Sequence, residues 1–449
     1  MVTKIKNTIK QNNMLSCGER ILVAFSGGAD SVVLLDVLVA LSEELGISVC
    51  AAHLNHMLRG KDADADAEFT RRRCEKYGIG YISECVDVAA YAKEKGESTE
   101  LAARNVRYDF LHRAKAHFSA DRIATAHNAN DNLETILFNV SRGSGIDGLC
   151  GIPPVRDDII RPLIETTRAE IENYAKEKEL SFRTDKTNAE TVYSRNKLRH
   201  MALPVLSEIN PMAVENAARM SRLLREDAEF LKNAAINVAK EISLSEHVCK
   251  RFDMVKLSDG MFGRVCELFA KRALRKDNYT LEYKHISSIR KLASGNNPSG
   301  EIYLPDELCV RCEYEKLVFE KREESRALSV QNLNFGENIF GEYKIFLEKT
   351  KKNGKVNNSV NTFFVLCDKI SGGLFVRPRK EGDRIKLSAR PGKSIKKLLI
   401  DEHIPKNVRD KIPIIADEEK VLALFGFGTD ESVIPENGQE CFEIRIEKL

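Results

Sequence analysis

A chain of 449 residues, with 43% hydrophobic and 31% charged residues, is too long for one core and should divide into two or three domains. Its net charge of +3 neither demands nor excludes a nucleic-acid partner, and no stretch approaches the ~18 uncharged apolar residues that span a bilayer. The opening MVTKIKNTIKQNN has no apolar signal region, and eleven scattered cysteines without such a signal read as reduced thiols, so a cytoplasmic protein with no membrane contact is expected.

Ile21–Phe25 is a short apolar run that predicts a strand, followed by Ser26-Gly27-Gly28-Ala29-Asp30-Ser31 and a helix over Ser31–Leu45. Further strands are predicted over Ile47–Leu54, Ile79–Val86 and Asp121–Ala126. Helices over Asp62–Tyr77, Thr99–Phe118 and Asn130–Arg142 alternate with them. Repeated βα units predict an α/β domain with a mostly parallel, doubly wound sheet. In such a sheet the ligand sits beyond the carboxyl ends of the strands. After Pro211 the period becomes helical, through Leu223, Leu224, Phe230 and Leu231 to Leu268, Phe269 and Leu274. A turn at Ser294–Gly300 precedes two alternating runs, Ile302–Leu304 and Leu317–Phe319, and Lys321–Glu337 reads as a linker. The remainder reads as strands and turns around one helix, Ser394–Asp401. The expected division is a nucleotide domain over 1–212, a mainly helical middle domain over 213–330 and a small α+β domain over 331–449.

The loop at 26–31 carries the chemistry. Two glycines let several backbone N–H groups converge on one anion, and the N-terminus of the next helix adds partial positive charge. No Lys follows the last glycine, which argues against a γ-phosphate kinase loop, and the dinucleotide G-x-G-x-x-G spacing is absent. Asp30, an acceptor beside the phosphates, suits a Mg²⁺ ligand. The second strand ends in His53, Asn55, His56 and Arg59 at the ligand-facing edge. Asp62-x-Asp64-x-Asp66 imitates a calcium loop but has Ala67 where Gly is needed and Arg73 where Glu is needed, so acids in a first helical turn explain it better.

On the third helix, Ala102, Val106, Phe110, Ala114 and Phe118 should face the sheet, with Glu100, Arg104 and Arg107 opposite. Those three are either an exposed ion pair or a guanidinium pair gripping phosphate. On the fourth, Leu133, Ile136, Leu137 and Val140 form the expected buried stripe, leaving Asp131, Glu134, Thr135 and Arg142 on the other face. His127 lies at the preceding strand end, and this set suits metal binding or proton transfer. Ser141-Arg142-Gly143-Ser144-Gly145 either holds phosphate or ends the helix. The one C-x-x-C, Cys309 and Cys312, has no second ligand pair nearby and reads as filler thiols in a strand. From Leu374 to Ile412 there are twelve Lys/Arg against five Asp/Glu, a density that suits a polyanion, although a solvated basic face would look the same.

Taken together these residues resemble the N-type ATP pyrophosphatases and, within them, the tRNA(Ile)-lysidine synthetases. The resemblance rests on S-G-G-x-D-S at 26–31, H-x-N-H-x-L-R at 53–59, A-R-x-x-R-Y at 103–108, T-A-H-x-x-x-D-x-x-E-T at 125–135 and R-G-S-G at 142–145. Arg161-Pro162-Leu163, Asp185-x-x-Asn188 and Tyr193-Ser194-Arg195-Asn196-x-x-Arg199 continue it, followed by R-P-R-x-x-G-D-R at 377–384 and K-K-L-L-I-D-E-H-I-P at 396–405. It implies an adenine nucleotide alpha hydrolase-like fold and a two-step reaction on a tRNA(Ile) with a CAU anticodon. ATP adenylates O2 of the wobble cytidine with loss of pyrophosphate, and the ε-amine of free L-lysine attacks C2 and expels AMP.

By that resemblance Ser26, Gly27, Gly28, Ala29, Asp30 and Ser31 bind ATP, and Asp30 and Asp131 bind Mg²⁺. His127 and Arg104 or Arg107 support adenylation, and Arg195 lies near the second step. Arg142, Arg199, Arg377, Arg379, Arg384, Lys393, Lys396 and Lys397 meet tRNA, and the chain forms a homodimer. The rival enzyme is a tRNA thiolase of the same superfamily, which needs paired reactive cysteines near the loop. The rival of another class is a non-catalytic tRNA-binding protein.

Overall fold

The computed structural model describes residues 1–55, 61–183, 197–322, 328–353, 360–388 and 390–449. Arg195, His56 and Arg59 lie outside them. The chain forms two compact units, Met1–Phe230 and Leu231–Leu449.

The first unit is built on six strands, β1 (Arg20–Ala24), β2 (Ser48–Asn55), β3 (Gly80–Cys85), β4 (Arg122–Ala124), β5 (Val155–Arg156) and β6 (Ile159–Ile160), in the order β3-β2-β1-β4-β6-β5. All neighbours are parallel except the β5–β6 pair. Both faces of β1 are buried, which is why it reads as an unbroken apolar run. Ile21 and Val23 join the core with the helices Val2–Gln11, Ala29–Ala40 and Arg168–Glu177. Leu22 turns to the other core, with Phe110, Leu111 and Ala114 of the helix Thr99–His117.

The chain winds outward from β1 to β3 and then returns to β4 on the opposite side of β1. The topological switch therefore lies between β1 and β4, where a doubly wound sheet opens its ligand crevice. Two loops leave there, one after Phe25 and one after Thr125. The helix Ala29–Ala40 that follows the first loop is apolar nearly all round, with Val32 to Leu35, Val37 and Leu38 buried, so it is a central element fixed on all sides. Its two acids are Asp30 and Asp36. Asp36 accepts hydrogen bonds from the hydroxyls of Tyr77 and, at 2.8 Å, Tyr174. Tyr174 belongs to the helix Arg168–Glu177, which the sequence reading did not foresee.

Helix Thr99–His117 buries Ala102, Val106, Phe110 and Ala114 as expected. Helix Ala129–Ser141 departs from its expected stripe. Val140 is 54% exposed, whereas Glu134 is 4% exposed. Two later segments cover that helix, because Ala129 and Leu133 pack on Leu203, Val214, Ala217 and Ala218. A single-helix pattern could not anticipate this second covered flank.

In the second unit an antiparallel sheet runs β7 (Ser243–Ser245), β8 (Val248–Lys250), β11 (Lys316–Lys321), β10 (Leu308–Glu313) and β9 (Glu301–Tyr303). The helices Asp259–Leu274 and Tyr283–Ser294 pack on it through Phe262, Phe269 and Ile289. Cys309 and Cys312 sit buried in β10, and Cys312 shares that core with Cys249 and Cys266. The last 120 or so residues form a four-stranded and a five-stranded sheet with the helix Ile395–Asp401. Among the described residues no helix is long and apolar enough to cross a membrane.

Candidate active site

The turn from β1 into the next helix is possible because Gly27 takes φ +87°. A β-carbon there would also come within 3.3 Å of Thr70 Cγ2, so the position requires glycine on two counts. Ser31 shapes the turn from inside. Its hydroxyl accepts from Gly27 N at 3.1 Å, donates to Gly28 O at 2.9 Å and lies 3.1 Å from Ser26 Oγ. Being only 3% exposed, Ser31 holds the loop from inside. Ser26 is the exposed hydroxyl, and Ala29 contributes backbone alone because its methyl is buried.

The helix starting at Ala29 has Gly28 as its N-cap and no side chain capping it. Three other helices of this unit are capped by the side chains of Ser98, Asn128 and Thr167, whereas Val2–Gln11, like the loop helix, is not. The first N–H groups of the loop helix are thus left for an external acceptor, and an anion at that end completes them.

Asn128 caps the helix after β4. Its Oδ1 accepts from the backbone N of Asn130 at 2.9 Å and of Asp131 at 3.1 Å, while its own backbone N donates to Asp131 Oδ2 at 3.0 Å. Its remaining Nδ2 reaches across the switch point to Asp30 Oδ1 at 3.2 Å. The two carboxylates expected to bind metal are therefore tied to one residue. Burial pushes the Asp30 carboxyl up, Arg168 pulls it down and Asp131 pushes it up again. Each carboxylate also meets a guanidinium. Arg168 donates to Asp30 Oδ2, and Arg199 donates to Asp131 Oδ1 at 2.9 Å and to Glu134 at 2.6 and 3.1 Å. Arg199, expected at the tRNA surface, is thus held inside the site by buried Glu134.

His127 projects from the end of β4, with Nδ1 3.0 Å from Thr125 Oγ1. Burial pushes its imidazole well below the ordinary value; Asp131 opposes this, and Arg161, Arg107 and Arg104 reinforce it. The imidazole is neutral at physiological pH. Arg104 lies with its guanidinium 5.2 Å from the Tyr108 ring, and neither Arg104 nor Arg107 pairs with a described carboxylate. Arg161, also in this cluster, is 3% exposed and leaves its Nε without a hydrogen-bond partner. Such a cationic cluster is suited to an anionic group. By contrast His53 is a core residue, 4% exposed, donating from Nδ1 to Phe25 O at 2.9 Å.

Burial pushes the thiol of Cys50 up to about 11 and that of Cys74 up to about 12, which disfavours the reactive thiolate at these two positions.

Arg142 is exposed at the end of its helix, 5.3 Å from the Phe138 ring. In the basic segment Arg377 is 8% exposed and donates through both terminal nitrogens to Asp383 at 2.8 Å. It clamps its own loop. Arg379 pairs with Asp410 at 2.7 Å and Lys393 with Asp401 at 3.0 Å. Arg384, Lys396 and Lys397 are exposed, and no described carboxylate pairs with them. Sequence reasoning missed Asn128, Arg168 and Arg161. The first lay inside a quoted motif at an unspecified position, Arg161 was quoted without a role, and nothing local marks Arg168.

A family model described as a PP-loop domain matches residues 1–206, and one described as the TilS substrate C-terminal domain matches residues 374–446. The tRNA(Ile)-lysidine synthase of Clostridium tetani is 36% identical over 462 residues, covering 100% of this chain and 98% of the relative. That of Clostridioides difficile is 33% identical, covering 99% of each. That of Clostridium acetobutylicum is 34% identical, covering 100% of each. With alignment end to end and the loop, carboxylate pair and arginines assembled at one switch point, this chain belongs to the tRNA(Ile)-lysidine synthase family.

Proposed function

We propose that the chain ligates L-lysine to C2 of the wobble cytidine in tRNA(Ile) with a CAU anticodon, by way of a cytidine adenylated from ATP. The observation that carries this reading is the convergence of Asp30 and Asp131 on Asn128 beside an uncapped helix N-terminus, within a chain aligned end to end with lysidine synthases.

Adenylation is needed because O2 of cytidine is a poor leaving group and AMP a good one. The backbone N–H groups of Ala29 and Asp30 and the exposed Ser26 would cradle phosphate oxygens. Mg²⁺ takes one or two carboxylates together with phosphate oxygens and water. Asp30 and Asp131, oxygen donors held in common by Asn128, fit that requirement and would hold the ion, which when bound neutralises phosphate charge. Arg104 and Arg107 would take the charge of departing pyrophosphate.

A carboxylate or neutral His127 can accept the proton that must leave the lysine ammonium before the amine attacks. Arg195 is proposed near that second step. Arg142, Arg384, Lys396 and Lys397 would grip tRNA phosphates. The test is incubation with tRNA(Ile) bearing CAU, ATP, Mg²⁺ and labelled lysine. Label in the tRNA is expected, and its absence overturns the proposal.

A further inference from the structure

All four oxygens of the two proposed metal ligands are taken by protein donors. Asp30 Oδ1 accepts from Asn128 Nδ2 and Oδ2 from Arg168; Asp131 Oδ1 accepts from Arg199 and Oδ2 from Asn128 N. A dication arriving alone meets carboxylates whose charge is already matched by guanidinium groups, and it would have to displace them.

Arg168 is the movable member of this set. Its backbone is fixed, since it begins the helix Arg168–Glu177 and its N donates to Asn130 Oδ1 at 2.9 Å. The Asp36–Tyr174 bond holds that helix to the loop helix. Its guanidinium, however, is 41% exposed and shared between Asp30 and Glu172, the latter at 2.7 Å from Nε. A guanidinium with two acceptors and open solvent beside it can turn to a third without unfolding anything, and a phosphate is its strongest available partner.

We propose that Arg168 is a latch on Asp30. It keeps this carboxylate neutralised in the nucleotide-free protein and transfers to a phosphate oxygen of the incoming triphosphate, releasing Asp30 Oδ2 for the metal. Metal and nucleotide then bind together rather than independently, and the coupling is reciprocal, each tightening the other by the same factor. The inference rests on the reading of Asp30 and Asp131 as the metal ligands.

The experiment is Mn²⁺ binding, followed by electron paramagnetic resonance, to the full-length chain without nucleotide and with the non-cleavable α,β-methylene analogue of ATP. Carboxylate and phosphate oxygens accept Mn²⁺ as they do Mg²⁺. The wild type should bind Mn²⁺ weakly alone and much more tightly with the analogue. Arg168→Gln should bind Mn²⁺ alone on the order of tenfold more tightly and lose a similar factor of coupling to the analogue. Arg168→Lys, which keeps the charge, should remain near wild type in the absence of nucleotide. Unchanged or weaker nucleotide-free affinity in Arg168→Gln overturns the latch. Asp30→Asn separates the two readings, because Mn²⁺ binding that survives it overturns the metal site itself, whereas loss of binding there with no tightening in Arg168→Gln overturns only the latch.

Discussion

Asp30 and Asp131, on different helices and 101 positions apart in the chain, are joined through Asn128, whose side-chain amide reaches one at 3.2 Å and whose backbone N reaches the other at 3.0 Å. Asn128 is therefore a cap and a spacer together. Asn128→Ala should lose the cap, at about 1 kcal/mol of stability, and 10- to 100-fold of activity or metal affinity, the usual cost (~10–100-fold) of removing a residue that orients metal ligands. Asn128→Asp retains the cap but loses the donor to Asp30. It should thus recover part of the cap's stability, less the repulsion between its carboxylate and Asp30, without activity, which thermal melts and lysine incorporation together would reveal.

Gly27→Ala puts a β-carbon at φ +87°, 3.3 Å from Thr70 Cγ2. A left-handed non-glycine residue costs roughly 1–2 kcal/mol, and the loop should relax by turning its N–H groups away from the phosphate position. The expected result is a modest fall in melting temperature with a large loss of ATP affinity, measured by calorimetry. Unchanged affinity would remove the loop from nucleotide binding.

Arg199→Ala removes one guanidinium partner of Glu134, whose side chain is 5% exposed. Breaking a buried pair costs ~3–5 kcal/mol, but Arg199 is 39% exposed and solvent moderates the loss, so about 2 kcal/mol is expected. Arg199→Ala combined with Glu134→Gln should recover part of that loss in a denaturant titration, with no recovery of catalysis.

Stability should fall on mild acidification. Burial lowers the pKa of His53 and of His127 below the ordinary histidine value, so the folded state prefers the neutral rings. Between the lowered folded pKa and the unfolded one the unfolded chain binds more protons. Stability is therefore complete above about pH 6.5 and falls as the pH drops towards the folded values, by at most ~1.4 kcal/mol per unit for each ring. His53→Gln should flatten the decline below about pH 6.5, measured by unfolding at fixed temperature. An identical slope in the variant would contradict the assignment.

The basic segment divides into clamps and contacts. Replacing Arg384, Lys396 and Lys397 together by Ala should reduce the salt slope of tRNA binding by ~2–3 units, close to one per lost phosphate contact, with little change in stability. Arg377→Ala should do the reverse, because its partner Asp383 is held below the ordinary carboxylate range, against burial, by that guanidinium.

Much of the first unit was legible in the sequence because its signals are local. β1 is apolar on both faces, Gly27 marks a backbone no other residue adopts easily, and the helix carrying Arg104 and Arg107 keeps a clean four-residue period. What escaped was set by contacts distant in sequence. Glu134 looked solvent-facing until segments beyond residue 198 covered its helix, and Arg168 became part of the site only because the helix Arg168–Glu177 packs on the one that carries Asp30. In the R-P-R-x-x-G-D-R motif, likewise, the pairing of Arg377 with Asp383 inside the fold could not be read from composition.

The reaction is defined by which molecule receives the nucleotide. Mixing the protein with ATP labelled at the α-phosphate, Mg²⁺ and tRNA(Ile) bearing CAU, without lysine, should place label on the tRNA, and adding lysine should discharge it as free AMP. Label on lysine instead, or none on the tRNA in a single turnover, would contradict it.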